Sequence, residues 1–241
     1  MRAARPTLLL TRPAEPSARF EAKFRERFGA DWPVLIAPLT EIRFLPFDLR
    51  AAERDGRDLI FTSVNAVRAF ARQDGATGRR AWCVGPATAA AARRAGFDAL
   101  EGAGTGRALA DRILREAPET RFLHPRGAEI AFDIAGALVS AGRDTVSVVV
   151  YEQLARAPDE AAQVLLRGAD PVLLPLFSPR SSLRAAAALA GAQAPLLLAA
   201  ISTAAGAAFG LPVRRRAIAP SPDADGMLAA LVALIDAGNT G

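Results

Sequence analysis

The feature that most constrains this chain is a regular alternation of short apolar runs with helical patterns along its 241 residues. Residues 7–10, 33–37, 59–61, 82–84, 97–100, 122–124, 146–150, 172–177, 196–201 and 216–219 read as strands. Each run is too short for a helix, and most lead directly into a stretch of helical period. In 17–28, Phe20, Phe24 and Phe28 recur every fourth residue, which makes one apolar helix stripe. Further helices are predicted over 64–71, 87–95, 107–116 and 226–235. This order of β and α demands parallel sheets covered by helices on both faces, an α/β fold.

The pattern also repeats. LLLTRP (8–13), a helix and VLIAPLTEI (34–42) resemble FLHPRG (122–127), a helix and VSVVVYEQL (146–154). DLIFTSVNAVRAF (58–70) with VGPATAAAARRAGF (84–97) resembles LLPLFSPRSSLRAA (173–186) with AISTAAGAAFGL (200–211). Two similar lobes follow, formed either from consecutive halves or with the chain crossing over twice. The second arrangement is preferred: 1–36 with 155–241 as a discontinuous lobe 1, and 43–147 as an inserted lobe 2. Residues 37–42 and 148–154 look extended and partly polar, and are expected to pair as a two-stranded connecting β-ladder.

Hydrophobic residues make up 51% of the chain, enough to fill two cores of ordinary size. Aromatics are only 6%, so Ala, Leu, Val and Ile must do most of the packing. The formal net charge is +5, and Lys23 is the single lysine among 30 basic residues. Such basicity suits a polyanion, whether nucleic acid, membrane surface or small molecule. The arginines are scattered among carboxylates without interleaved aromatics, so nucleic acid is not expected. Arg214-Arg215-Arg216 reads as a solvated edge. Cys83 and His124 are the only residues of their types, which excludes an internal disulfide and a Cys/His zinc site. The opening MRAARPTLLLTRP has too short an apolar run for a signal peptide. The uncharged stretch 185–213 is long enough to cross a bilayer, but glycines and prolines break it into helix, turn, buried strand and helix. A cytoplasmic protein with no membrane partner is expected.

In open α/β sheets ligands bind beyond the carboxyl ends of the strands. Here those turns share hydroxyls, glycines, prolines and arginines: Thr11-Arg12-Pro13, Thr62-Ser63, Gly85-Pro86-Ala87-Thr88, Pro125-Arg126-Gly127, Ser178-Pro179-Arg180 and Ser202-Thr203. Each Ser or Thr can simply cap the helix that follows. The same geometry leaves backbone N–H groups free at a positive helix end, which attracts carboxylates and phosphates. Six such turns favour an anion-binding role. Gly102 to Gly106 lacks dinucleotide-fingerprint spacing and reads as a turn, and no Walker A sequence is present. Tyr151, the only tyrosine, falls in the expected connector, where a phenol donates a hydrogen bond without carrying charge.

Together these motifs resemble the uroporphyrinogen-III synthase family: TRP, IFTSVNAV, VGPATA, HPRG, the VYE around Tyr151, FSPRS and AIS, in that order. The resemblance implies two flavodoxin-like lobes joined by a two-stranded ladder, one lobe inserted in the other. It implies a linear tetrapyrrole with eight carboxylate side chains, hydroxymethylbilane, as substrate, and no cofactor or metal. It implies dehydration to an azafulvene, then closure through a spirocyclic intermediate that inverts ring D. Tyr151 matches the family tyrosine that assists loss of the hydroxyl. Thr88 matches a cleft threonine, and Ser63 and Ser178 match cleft serines. Arg12, Arg126 and Gly127 match strand-end turns, and Thr62 and Gly85 belong to the same motifs. Many members carry glycine where Ser202 stands and threonine near Ala205, and here the following helix is shortened, so Ser202 or Thr203 takes over that contact. A monomer is expected, with the upstream bilane-producing enzyme as a partner.

The main rival reading is a non-catalytic two-lobed module that closes on an anionic small molecule through the same turns. A sugar-phosphate or nucleotide enzyme would instead need a glycine-rich loop after the first strand, where this chain has Thr11-Arg12-Pro13.

Overall fold

The computed structural model describes residues 5–49, 56–73 and 78–239. The chain begins β1 (Thr7–Leu10), α1 (Ala14–Phe28), β2 (Val34–Ile36), β3 (Thr40–Phe44), β4 (Arg57–Phe61), α2 (Val64–Gln73) and β5 (Arg80–Cys83). It continues α3 (Pro86–Arg94), β6 (Asp98–Glu101), α4 (Gly106–Glu116), β7 (Arg121–Gly127), α5 (Ile134–Ser140) and β8 (Thr145–Ala155). The last part is α6 (Glu160–Arg167), β9 (Val172–Leu176), α7 (Pro179–Ala188), β10 (Leu196–Ala200), α8 (Thr203–Phe209), β11 (Arg215–Ile218) and α9 (Ala224–Asn239). Two compact units result, Met1–Glu41 with Ala155–Gly241 and Ile42–Leu154.

The first unit holds a five-stranded parallel sheet in the order β11-β10-β9-β1-β2. Its central strands VLLPL and LLLAA are buried along their whole length, as strands covered on both faces must be. Side-chain alternation divides the core in two. Leu8 and Leu10 pack with Phe20, Phe24, Met227 and Leu231 from α1 and α9. Leu9, Leu174 and Leu198 point the other way, to Ala162, Leu166, Ala185 and Phe209 on α6, α7 and α8. Helix α1 starts three residues before the predicted position because Pro16 falls in its first turn, where the missing N–H has no intrahelical acceptor to lose.

The second unit holds a six-stranded sheet in the order β3-β8-β7-β4-β5-β6. Leu59 and Phe61 face Val67, Phe70, Ala89 and Ala92, while Ile60 and Phe122 face Leu109, Ile113, Ile134 and Leu138. The ladders from β8 to β6 are parallel. Strand β3 is the exception. Arg156 N–H donates to Leu39 O and Leu45 N–H to Val150 O, so partner numbers fall as the chain advances and β3 lies antiparallel to β8. At the amino end of β4, the buried Arg57 guanidinium donates to both carboxylate oxygens of Asp144, at 2.8 and 3.0 Å.

In each sheet the winding reverses direction at one place. It is between β9 and β1 in the first sheet and between β7 and β4 in the second. Both pairings end early: β1 matches β9 only through Leu8↔Leu173, and β4 matches β7 only through Leu59↔Leu123. On their other sides β9 and β7 stay paired to Leu176 and Gly127. The cause is a proline in each strand. Val172 N–H donates to Pro195 O on the β10 side, so alternation turns Pro175 toward β1. Phe122 N–H donates to Asp144 O on the β8 side, so Pro125 turns toward β4. Neither proline has an N–H to give, and the ladder to the neighbouring strand ends there. This is also why β7 runs on to Gly127, three residues past the predicted end: Pro125 removes a donor only on the side that is already open.

Within 185–213 the structure has the end of α7, a turn, buried β10 and α8, the order read from the sequence. Among the described residues no helix is long and apolar enough to cross a membrane.

Candidate active site

In the first unit, Thr11-Arg12 leaves β1 and Phe177-Ser178 leaves β9, one on each side of the reversal. The Arg12 guanidinium lies 4.3 Å from the centroid of the Phe177 ring. Burial, and then the charge of Arg19, lower the Arg12 pKa from its ordinary value, so an incoming carboxylate would relieve a partly desolvated cation. Among the described residues no carboxylate pairs with it. Ser178 caps α7, its Oγ accepting from Ser181 N–H while Ser181 Oγ accepts from Ser178 N–H. Ser178 Oγ also lies 3.1 Å from Ser181 Oγ, so this predicted site residue is tied into the capping network. On the next strand, β10, Ser202 caps α8 by accepting from Ala205 N–H, and Thr203 is exposed beside it. Helix α8 has only seven residues and ends at Gly210 in the left-handed conformation (φ 65°), the shortening expected after Ile201.

In the second unit the same edge carries Thr62 and Ser63 after β4, Gly85 and Thr88 after β5, and Arg126 and Gly127 as the last residues of β7. Ser63 Oγ accepts from Asn65 N–H at the start of α2. No described side chain caps α3, whose first residue, Pro86, has no N–H; the N–H groups of Ala87 and Thr88 are left for an acceptor from outside. The turn after β6 packs on this loop: Gly104 N–H donates to Val84 O at 2.7 Å, and a Cβ on Gly102 would sit 2.7 Å from Cys83 O. Arg126 folds back on its own loop and donates to Gly127 O and Ala128 O.

Tyr151 sits in β8 directly opposite Gly127, where a register shift between Arg126 and Gly127 bends the ladder. A Cβ on Gly127 would lie 2.8 Å from Tyr151 Cζ and 2.9 Å from its hydroxyl oxygen. Glycine is needed there because the phenol occupies that space. Tyr151 is only 6% exposed and its ring packs in the core shared by α2 and α3. Among the described residues its hydroxyl makes no hydrogen bond, so its donor is uncommitted.

Two residues of the site were not selected from the sequence. Phe177 supplies the ring under Arg12. His124, fully buried on β7, places Nε2 3.3 Å from Thr62 Oγ1. Burial, and then the charge of Arg126, push the imidazole pKa down to about 4 against an opposing effect of Asp133, so it is neutral near pH 7. Its being the chain's one histidine, directly after the apolar pair Phe122-Leu123 on β7, was the available signal. Cys83 lies two strands away on β5, and burial pushes its thiol up to about 12, so no Cys–His nucleophile forms.

The class is that of a two-unit α/β protein with hydroxyls, an uncapped helix start and a partly desolvated arginine at the carboxyl ends of its parallel strands. The family model for Uroporphyrinogen-III synthase HemD matches residues 19–229, and the chain belongs to that family. It is therefore a cyclising lyase of tetrapyrrole biosynthesis that acts on hydroxymethylbilane. Among solved structures, it is similar to the uroporphyrinogen-III synthetase of Helicobacter pylori 26695. The identity is 17% and the TM-score 0.66, over 96% of this chain and 100% of that one, which shows a shared fold. A mutant uroporphyrinogen III synthase from the extremely thermophilic bacterium Thermus thermophilus is 16% identical, with a TM-score of 0.48 over 96% and 99% of the two chains. Among curated proteins none matches.

Two outcomes follow from this geometry. Gly127→Ala places a methyl 2.8 Å from Tyr151 Cζ and should destabilise the fold by about 1–3 kcal/mol, the range for overpacking a filled core. An unchanged urea midpoint in that variant would contradict the contact. For His124 the folded pKa lies below the ordinary 6.5, so the unfolded chain binds the extra proton between those values. The associated stability is complete above pH 6.5 and is lost as pH falls toward 4, by an amount on the order of 3 kcal/mol. Urea unfolding of wild type and His124→Gln at about pH 7 and about pH 4.5 checks this: the wild type should lose more stability on acidification, and equal losses would refute it.

Proposed function

We propose that this chain converts hydroxymethylbilane to uroporphyrinogen III with Tyr151 as hydrogen-bond donor to the departing hydroxyl. The strand-end turns that carry Arg12, Thr62, Ser63, Gly85, Thr88, Arg126, Gly127, Ser178, Ser202 and Thr203 hold the substrate carboxylates. The observation that carries the reading is the buried phenol of Tyr151, seated on Gly127 with its donor uncommitted.

The hydroxyl leaves as water as its C–O bond breaks. The proton that Tyr151 lends is balanced by the one lost from the adjacent pyrrole N–H, which leaves a neutral azafulvene. Its methylene carbon then bonds to the substituted carbon of the last ring. The spirocyclic product fragments and recloses with ring D inverted. The free substrate closes by itself to the uninverted isomer, so the protein's task is mostly orientation, and carboxylates held at fixed points accomplish it. The donor at Tyr151 makes water the better leaving group only where the chain is already arranged. Arg12 supplies charge and the first turn of α3 supplies backbone amides, two complementary ways to hold a carboxylate. Because the substrate is short-lived, delivery by the upstream bilane-producing enzyme in the cytoplasm suits this role, and one copy of the chain carries every residue named.

Purified protein should accelerate the consumption of hydroxymethylbilane, and Tyr151→Phe should slow its dehydration by ~10- to 1000-fold, the range for a positioned acid. Wild-type turnover by Tyr151→Phe would remove the phenol from the mechanism.

A further inference from the structure

His124 is fully buried on β7, next to the last paired residues of the β4–β7 ladder, and its ring has a single close polar neighbour among the described residues. Nε2 lies 3.3 Å from Thr62 Oγ1, and Nδ1 is buried with no partner among the described residues. A residue kept only to fill this core would be expected to be apolar, because an unpartnered buried nitrogen costs stability. Thr62, one residue past the end of β4, is partly open to solvent, so its hydroxyl connects the buried imidazole to the carboxyl edge of the sheet.

The ring has one proton to place. On Nδ1 it would be a buried N–H with no acceptor, the costlier kind of orphan; on Nε2 it finds Thr62 Oγ1, and Nδ1 is left as a bare lone pair. The low imidazole pKa agrees with a neutral ring that has one N–H. With Nε2–H donating to it, the Thr62 oxygen has accepted from the protein side, and its own proton is free to point away from the sheet.

We propose that His124 is a positioning residue: by donating from Nε2 it turns the Thr62 hydroxyl into a committed outward donor for a substrate carboxylate. This rests on the functional reading above and deepens it, for it explains how a neutral threonine at this edge selects an anion. An acceptor group on the substrate is favoured, and a donor group in the same place would meet a proton head-on. No proton is transferred; His124 acts through Thr62 alone.

Two measurements test it. Because His124 is the only histidine, histidine-selective 15N labelling yields one imidazole spectrum. The proton is expected on Nε2, and Thr62→Val should shift that resonance; a proton on Nδ1 overturns the proposal. In steady-state kinetics with hydroxymethylbilane, His124→Leu should raise KM about 10-fold with kcat within about twofold, the loss of one oriented hydrogen bond. His124→Gln, which returns an N–H near the Nε2 position, should restore KM to within about threefold. Thr62→Val should match His124→Leu, and the double variant should be no worse than either. An unchanged KM in His124→Leu, or multiplying effects in the double variant, overturns the proposal. A wild-type protein that yields no uroporphyrinogen III sinks the functional reading instead, and the 15N spectrum still decides the tautomer.

Discussion

The early end of strand pairing at the two winding reversals is the constraint on which the rest of this structure depends. At a winding reversal the connections leave neighbouring strands toward opposite faces of the sheet, which opens a crevice between them. Here Pro175 and Pro125 withhold an N–H toward β1 and β4, so in each sheet the hydrogen-bond ladder opens at its carboxyl edge while staying paired on the other side. The opening falls where the winding directions diverge, the place where α/β sheets bind ligands. Each proline is buried and forgoes a single hydrogen bond, on the one side of its strand where the ladder ends.

What crosses each opening differs between the units. In the first, Arg12 from one strand end stacks on Phe177 from the other, a cation over a ring. In the second, Thr62 from one strand end meets His124 on the neighbouring strand, a hydroxyl against a neutral imidazole. One opening offers charge and the other a directed dipole. Strand β8 extends the second edge with Tyr151, and the glycine opposite gives the phenol its seat. A reaction whose difficulty is orientation needs fixed donors more than it needs a reactive nucleophile. The neutral His124 and the undissociated Cys83 thiol suit that requirement.

The fold was largely legible because short apolar runs alternating with helical stripes permit few arrangements, and 7–10, 64–71 and 107–116 lie within a residue or two of the observed elements. Proline was the main source of error. Pro16 delayed the predicted start of α1 and Pro125 cut β7 short, since their tolerance depends on where a missing N–H points, which is a tertiary fact. The glycine-rich stretch 102–106 read correctly as a turn leading into α4. At the site, cap-forming Ser and Thr were visible as types, but not which of them keep a free proton. Ser178 is bound into Ser181, whereas Thr62 is held from behind by a histidine on the neighbouring strand. Gly127 was selected as part of a turn, and only the structure shows that its missing side chain is the space Tyr151 fills.

The central claim is that this chain forces ring D to invert by orienting its substrate. The most direct measurement is to supply hydroxymethylbilane to the purified protein and resolve the isomers formed. The account predicts uroporphyrinogen III as the dominant product, formed faster than spontaneous closure. Uroporphyrinogen I alone, at the spontaneous rate, would contradict it.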